Sequence, residues 1–453
     1  MDASRTHHGW KQQLSEFFYR EEVPYSLALM RIILPCVLLL VVAPRWQHAR
    51  ELFSTDGAPA PLAVGYGLVS FPPAPDGTLA VAMMTTLAVA LVTSAIGWFT
   101  RPSLMIACGL YTHLNLLDCL SFMTKYSAIA THLLFLLSLS QCGSVWSIDA
   151  WRAGLAESPR SAVWPQRLIA LFIGLVYLGA ATTKLHTDEY FTSEQLRTWL
   201  MTDVNNANPI GEWLSFYPAI IIGMAHIAII WQLVFVFVVG RPGWRWIVLG
   251  LGVLFHLATT PLLGLYIFPA VMITSYLAFL SEEDMSRLGK KLQIGVFSES
   301  AVEGRSMQVP HLPRMLTSVT AWLCVVLAVT LTGVAAERLL DPYDRQSDSG
   351  PGQLKPVPES LAMRMTRSPE PVAVEDRILS FDVGTELLLG VLVDVQSEFS
   401  LGEGFVAQLS LSPPHDDLWL VCSLVDEANR EVFRSGQIVL RERLRADWRF
   451  APQ

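Results

Sequence analysis

Residues 26–44 read Ser26-Leu-Ala-Leu-Met-Arg31-Ile-Ile-Leu-Pro35-Cys-Val-Leu-Leu-Leu-Val-Val-Ala-Pro44, a stretch whose single ionisable side chain is Arg31. About 20 predominantly apolar residues cross the hydrocarbon core of a bilayer as a helix, so the stretch reads as a transmembrane span. It follows a charged segment and has no small-residue cleavage site, which suits a retained helix better than a signal peptide. Arg31 lies near one end of it and is expected to snorkel to the interface. Working outward, further apolar runs occur near 78–99, 103–120, 124–142, 166–184, 217–239, 246–263, 265–281 and 315–336. The expected fold class is an all-α polytopic membrane bundle of about nine transmembrane helices. The eighth run is short and follows an expected tight turn at Thr260-Pro261, so a re-entrant or broken element also fits it.

The composition agrees. Of 453 residues, 52% are hydrophobic and 16% charged, and the mean hydropathy is +0.40. Soluble domains carry about 25% charged residues. Disorder is excluded, and a soluble multidomain enzyme is a poor reading. A net charge of −8 argues against nucleic acid as a partner, because phosphate binding needs clustered Lys and Arg. The six cysteines form no Cys-x-x-Cys pair, so neither a zinc site nor a redox motif is indicated and no metal is expected. There is no Gly-rich phosphate loop, no G-x-S-x-G and no H-E-x-x-H.

Orientation follows from Lys and Arg in the connecting segments. With the N-terminus cytoplasmic, inside segments hold fourteen, from Arg5 to Arg314, and outside loops hold four: Arg45, Arg50, Lys125 and Arg197. Nine crossings then place the C-terminal part outside, although eight would place it inside. The chain divides into a cytoplasmic segment 1–25, a bundle 26–336, a Pro-rich linker 337–373 and a small β-rich extracytoplasmic domain 374–453. In the linker Pro342, Pro351, Pro356, Pro358, Pro369 and Pro371 read as extended chain. Beyond it, short β-type runs at 378–383, 387–395, 405–411, 418–425 and 432–440 suggest a sandwich or open barrel.

Ionisable groups at membrane depth are costly, so each is a site hypothesis. His226 and Gln232, six residues apart, fall on different faces of one helix and cannot both line one cavity well. A more coherent set gathers at one end of the bundle: His113, Asn115 and Asp118; Lys125, Tyr126 and His132; Thr182, Thr183 and Lys184; His256, Thr259 and Thr260. The plain readings are a snorkelling Lys184 at a helix end and a hydrogen-bonded structural His256. The functional reading is sharper. Burial disfavours an ammonium, so a lysine in an apolar pocket offers a neutral amine as a general base toward an acidic reactant such as a hydroquinone. A nearby histidine donates to developing oxyanion charge.

Six segments in order carry a family resemblance: Ser26-Leu-Ala-Leu-Met-Arg-Ile-Ile-Leu34, Glu51-Leu-Phe-Ser-Thr-Asp-Gly57, Gly97-Trp-Phe-Thr-Arg101, Trp146-Ser-Ile-Asp149, Val176-Tyr-Leu-Gly-Ala-Ala-Thr-Thr-Lys-Leu185, and Phe255-His256 with Gly264, Phe268 and Met272. From about residue 15 to 280 the chain resembles the HTTM (horizontally transferred transmembrane) module of vitamin K-dependent γ-carboxylases and their bacterial homologues. In those enzymes a lysine deprotonates vitamin K hydroquinone, oxygen converts the quinol to a strong base, and the base removes a γ-proton from substrate Glu before CO₂ adds. The resemblance puts that lysine at Lys184 and a later histidine of the family at His256.

It further implies a reduced vitamin K or menaquinone-type quinol, O₂ and CO₂ as reactants, quinol epoxidase or γ-glutamyl carboxylase (lyase) activity, and a bacterial inner or cell membrane. Tyr126, Tyr177, Thr183, Asn115 and Thr259 are the candidate quinone-binding positions. The partners are the lipid bilayer, a membrane quinone and an exported peptide or protein. There are departures. Thr183 replaces the first lysine of the family's pair, Tyr126 stands where a histidine is expected, and Gln232 stands near a position where many bacterial members carry Glu. Only about 115 residues follow the last span, whereas the carboxylases have a large lumenal portion that grips the peptide. A non-enzymatic maturation or export factor holding a peptide or lipid is therefore the alternative. A solute transporter comes third, since no inverted repeat is evident.

Overall fold

The computed structural model describes residues 10–62, 72–118, 125–154, 158–192, 194–201, 209–291, 318–341, 378–388, 391–400, 404–412, 418–439 and 444–450. Two compact units divide near residue 344. The first opens with α1 (Trp10–Tyr19) and β1 (Glu21–Glu22), then α2 (Tyr25–Trp46), α3 (Ala49–Phe53), α4 (Gly77–Ile96), α5 (Thr100–Leu116), α6 (Tyr126–Leu139) and α7 (Ile148–Ala153). It continues with β2 (Ser161–Ala162), α8 (Trp164–Leu185), α9 (Asp188–Phe191), α10 (Glu194–Met201), α11 (Pro209–Ser215), α12 (Pro218–Val238) and α13 (Pro242–Leu263). It closes with α14 (Ile267–Ser275), a 3₁₀ turn Tyr276–Phe279, α15 (Glu282–Lys291) and α16 (Val319–Leu340).

Six of these helices, α2, α4, α8, α12, α13 and α16, are long and apolar enough to cross a membrane. The other three expected spans are shorter. α5 runs 17 residues with His113 and Asn115 in its last turn. α6 has 14 residues, and α14 gives way to the 3₁₀ turn after nine. The turn expected at Thr260-Pro261 lies later. Pro261 is inside α13, which ends at Gly264 in the left-handed region (φ 64°), where the Gly264 amide bonds back to Thr260. A Pro removes one ladder bond without ending a helix whose C-cap glycine lies beyond it.

α2 is central. Leu27, Met30, Leu34 and Leu38 are buried on one face, at the i, i+3/i+4 spacing that makes a packed stripe. Arg31 does not snorkel. It is fully buried, and its guanidinium donates to four carbonyls: Cys142 (3.2 Å), Ser94 (2.9 Å), Ala95 (2.8 Å) and Trp146 (2.7 Å). Two of these lie in the last turn of α4, where carbonyls need donors when buried; the Gly97 amide also donates to Ser94 O (3.1 Å). Gly97 caps α4 with φ 71°, and a Cβ there would lie 2.2 Å from Ser147 Cβ and 2.6 Å from Arg31 Nη1. Asp149 closes the junction by accepting from the Phe99 and Thr100 amides (3.0 and 2.7 Å) and the Thr100 hydroxyl (2.7 Å). Segments 26–34, 97–101 and 146–149 are thus one lock at one end of the bundle.

At the opposite end Arg50 of α3 bridges Glu337 (2.9 and 3.0 Å) and Asp56 (2.9 Å). Those hydrogen-bonded carboxylates hold the guanidinium above its ordinary value. α16 continues through Glu337 to Leu340. It meets α4 through small residues: a Cβ on Gly333 would lie 2.5 Å from Thr85 Cγ2, and Thr330 shares a hydroxyl bond with Thr86 (3.0 Å).

The second unit is β-rich. β3 (Ile378–Gly384), β6 (Phe405–Leu411) and β9 (Arg445–Phe450) form an antiparallel sheet in the order β3-β6-β9. β4 (Leu387–Leu388) pairs with β5 (Val391–Leu392), and β7 (Leu418–Val425) with β8 (Glu431–Val439). Leu409, Leu411, Val439, Trp448 and Phe450 make its core. Of the linker expected at 337–373, residues 342–373 lie outside the described residues, as do 374–377 and Cys119.

Candidate functional site

The polar set expected at the Lys184 end separates into three parts. The first centres on Lys184 in the last turn of α8. Helical side chains lean toward the N-terminus, and Nζ folds back toward the Ala180 carbonyl (3.4 Å) instead of reaching outward. It donates to Gln232 Oε1 of α12 at 3.1 Å and lies 5.4 Å from the centre of the Tyr190 ring. Among the described residues Lys184 has no carboxylate partner, and Lys125 is a second positive charge nearby. Gln232 is 4% exposed, whereas His226 is exposed and bonds its own helix at Ile222 O (2.8 Å). The expected opposition of these two faces is what the structure has, with Gln232 the member that turns inward.

The second part is an aromatic and histidine cluster. The Tyr177 hydroxyl lies 2.6 Å from His256 Nε2 and 2.5 Å from the Tyr276 hydroxyl. All three side chains are buried. Trp231 and Phe235 press on Tyr177, with ring centres 4.8 and 4.5 Å away, and Phe255 and Phe268 flank His256 at 5.2 and 5.3 Å. His256 Nδ1 is buried without a partner among the described residues. A buried polar atom left unpaired costs about 1–3 kcal/mol. Tyr177 and Lys184, seven residues apart on α8, share a face of that helix.

The remaining expected residues are bonded elsewhere. Asn115 is buried and donates to the Tyr111 carbonyl (2.6 Å). Tyr126 packs on the main core near Tyr111, and Asp118 pairs with Arg45 at 2.7 Å. Thr183 is exposed and returns its hydroxyl to Gly179 O (3.0 Å), as Thr182 does to Leu178 O (2.9 Å). Thr259 donates to the His256 carbonyl (2.7 Å), shaping the backbone at the histidine and not its ring. Among the expected positions, Tyr177 and His256 are in direct contact, while Lys184 meets Gln232 of α12, the residue that follows Trp231 of the aromatic cluster. Tyr276 joins the cluster and Tyr190 the lysine unanticipated, and Gln232, noted in the sequence as an amide within a span, is the residue that meets Lys184. Tyr276 reads in sequence as one more interfacial aromatic, and only the pairing of α8 with the 3₁₀ turn brings its hydroxyl to Tyr177.

Chemically the site offers an amine held by a neutral amide, a hydrogen-bonded Tyr-Tyr-His chain, an unpartnered imidazole nitrogen and aromatic walls. Among the described residues no three His, Cys, Asp or Glu side chains gather as metal ligands.

A family model described as HTTM domain matches residues 19–283, a range that contains the Arg31 lock and all the site residues above. No curated protein matches the chain. No solved structure does either.

Proposed function

From the premise that the chain belongs to the HTTM family, and is an integral membrane protein, we propose that it oxidises a reduced, membrane-borne quinone, with Lys184 taking the first proton. The observation that carries this reading is the inward amine: Nζ lies inside the bundle, bonded to Gln232 and not to a carboxylate among the described residues. A carboxylate would fix the ammonium form, whereas an amide accepts from either protonation state. The amine can then gain and lose a proton without breaking an ion pair. A bound quinol supplies the acidic hydroxyl and the electrons that pass to oxygen. Gln232 Oε1 aims the amine, His256 offers its free Nδ1 to a ligand oxygen, and the hydroxyls of Tyr177 and Tyr276 hold that ring. Trp231, Phe255 and Phe268 keep water from the imidazole.

In this reading α5, α6 and α14 with its 3₁₀ turn are crossings too, which gives nine. The fourteen-to-four distribution of Lys and Arg puts the N-terminus in the cytoplasm and the β-rich unit outside. That unit is where an exported peptide would be engaged. The membrane is a bacterial cell membrane by the same resemblance. The test is epoxide formation by purified protein in nanodiscs with reduced vitamin K or menaquinone and oxygen. Lys184→Ala is expected to lower the rate about 10²–10⁴-fold, the usual worth of a positioned acid–base group. Equal rates for the two proteins would overturn the role of this lysine.

A further inference from the structure

At the Arg31 end of the bundle, a cavity of about 500 Å³ opens where α5 begins, α6 ends and α8 begins. Its polar lining is Arg101, Arg160, Gln141, Ser140, Ser144 and Ser161, and Trp164 forms part of its wall. None of these groups belongs to the Lys184 site. The two arginines differ. Arg160 is held by Glu282 at 2.7 Å, so its charge is partly met. Arg101 is exposed and makes only a long bond from Nε to Ser140 O (3.4 Å) among the described residues. The cavity therefore carries positive charge at the height where helices leave the membrane.

The surface leading away from it is apolar. On α8, Leu168, Leu171 and Leu175 are exposed at i, i+3 and i+7, one stripe of the helix. On α6, Leu139 and Phe135 are exposed one turn apart. Trp164, at the first position of α8, is the residue type that settles at the boundary between headgroups and chains. We propose that this cavity is a binding site for an anionic phospholipid, its phosphate between Arg101 and Arg160 and its acyl chains along the exposed Leu and Phe side chains of α6 and α8. Basic pockets between transmembrane helices recognise lipid headgroups through this combination of cation and apolar wall. Free phosphate would use the arginines but not the apolar stripe.

The experiment uses the full chain in detergent, titrated with phosphatidylglycerol or phosphatidylcholine, with bound lipid counted by native mass spectrometry. Phosphatidylglycerol is expected to bind more tightly than phosphatidylcholine, and Arg101→Gln to weaken it about fivefold, the usual share of one arginine at an anionic surface. Ser144→Asp puts a carboxylate into the cavity without removing an arginine, and is expected to abolish the preference. Equal retention of both lipids by the wild type would overturn the proposal. So would displacement of phosphatidylglycerol by millimolar inorganic phosphate, or a preference unchanged in both variants.

Discussion

Arg31 and Lys184 are both cations turned into the same helical bundle, and they are satisfied in opposite ways. Arg31 donates to four backbone carbonyls drawn from three places in the chain, and nothing of it is exposed. Lys184 has one amide oxygen and one long carbonyl contact, at 3.1 and 3.4 Å. A guanidinium presents five fixed donors and stays charged, so it suits a permanent knot. An ammonium has three donors on a flexible stem and changes protonation readily when buried, so an under-satisfied one suits chemistry. The difference separates what holds this molecule together from what it can do.

The largest effect is expected at Arg31. Arg31→Met removes the guanidinium donor from the carbonyls of Ala95, Cys142 and Trp146, leaves Ser94 O with the Gly97 amide alone, and adds no new partner. Each buried carbonyl left unpaired costs about 1–3 kcal/mol, so several together are a large fraction of a typical stability of about 5–15 kcal/mol. The expected readout is loss of monodisperse protein on size exclusion, or a fall in melting temperature of several degrees. A variant that stays folded and melts with the wild type would erase the contrast with Lys184.

Lys184→Met comes next, with the effect in another quantity. The apolar stem is retained, Gln232 loses one hydrogen bond, and melting is expected to shift little. Quinol oxidation is expected to fall about 10²–10⁴-fold. A variant that unfolds would make Lys184 a structural residue like Arg31.

Much of this contrast was legible in the sequence, and the misreadings have physical causes. The apolar runs and the six ordered segments locate the helices, and Lys184, Tyr177 and His256 stand out as polar groups on apolar spans. Arg31 misleads because snorkelling is read from distance to a helix end, whereas its partners are carbonyls 63 to 115 residues away in sequence. Gln232 is visible as an amide within a span, yet only the pairing of α8 with α12 brings it to Lys184. The strand Arg445-Ala-Asp-Trp-Arg-Phe450 escapes notice because half of its residues are charged. Its alternation, with Ala446, Trp448 and Phe450 buried, is plain once β6 lies beside it.

A middle case sharpens the comparison. Tyr177→Phe keeps the ring against Trp231 and Phe235 but removes the hydroxyl shared by His256 Nε2 and Tyr276. Two buried polar atoms lose their partner, at about 1–3 kcal/mol each, so both stability and activity are expected to fall. The activity loss should be smaller than for Lys184→Met, because the amine remains. Thermal melting and epoxide assays on the same preparation check it. An activity loss equal to that of Lys184→Met would place the first proton on the tyrosine chain.

The smallest effect is expected at Thr183, next to the lysine on α8 but with its side chain exposed. Its hydroxyl bonds Gly179 O on its own helix and its side chain is exposed. Returning a hydroxyl to the preceding turn contributes little to a helix, and alanine has the higher helix propensity. Thr183→Ala is therefore expected to leave melting within about 0.5 kcal/mol and quinol oxidation within twofold of wild type. Thr183→Lys should also be tolerated, because the new side chain would extend from an exposed position without displacing Gln232. A rate change of tenfold in either variant would mean that the outward face of α8, and not only the groove toward α12, takes part in the reaction. The distinction between an inward Lys184 and its outward neighbour would then fail at the residue where it is easiest to measure.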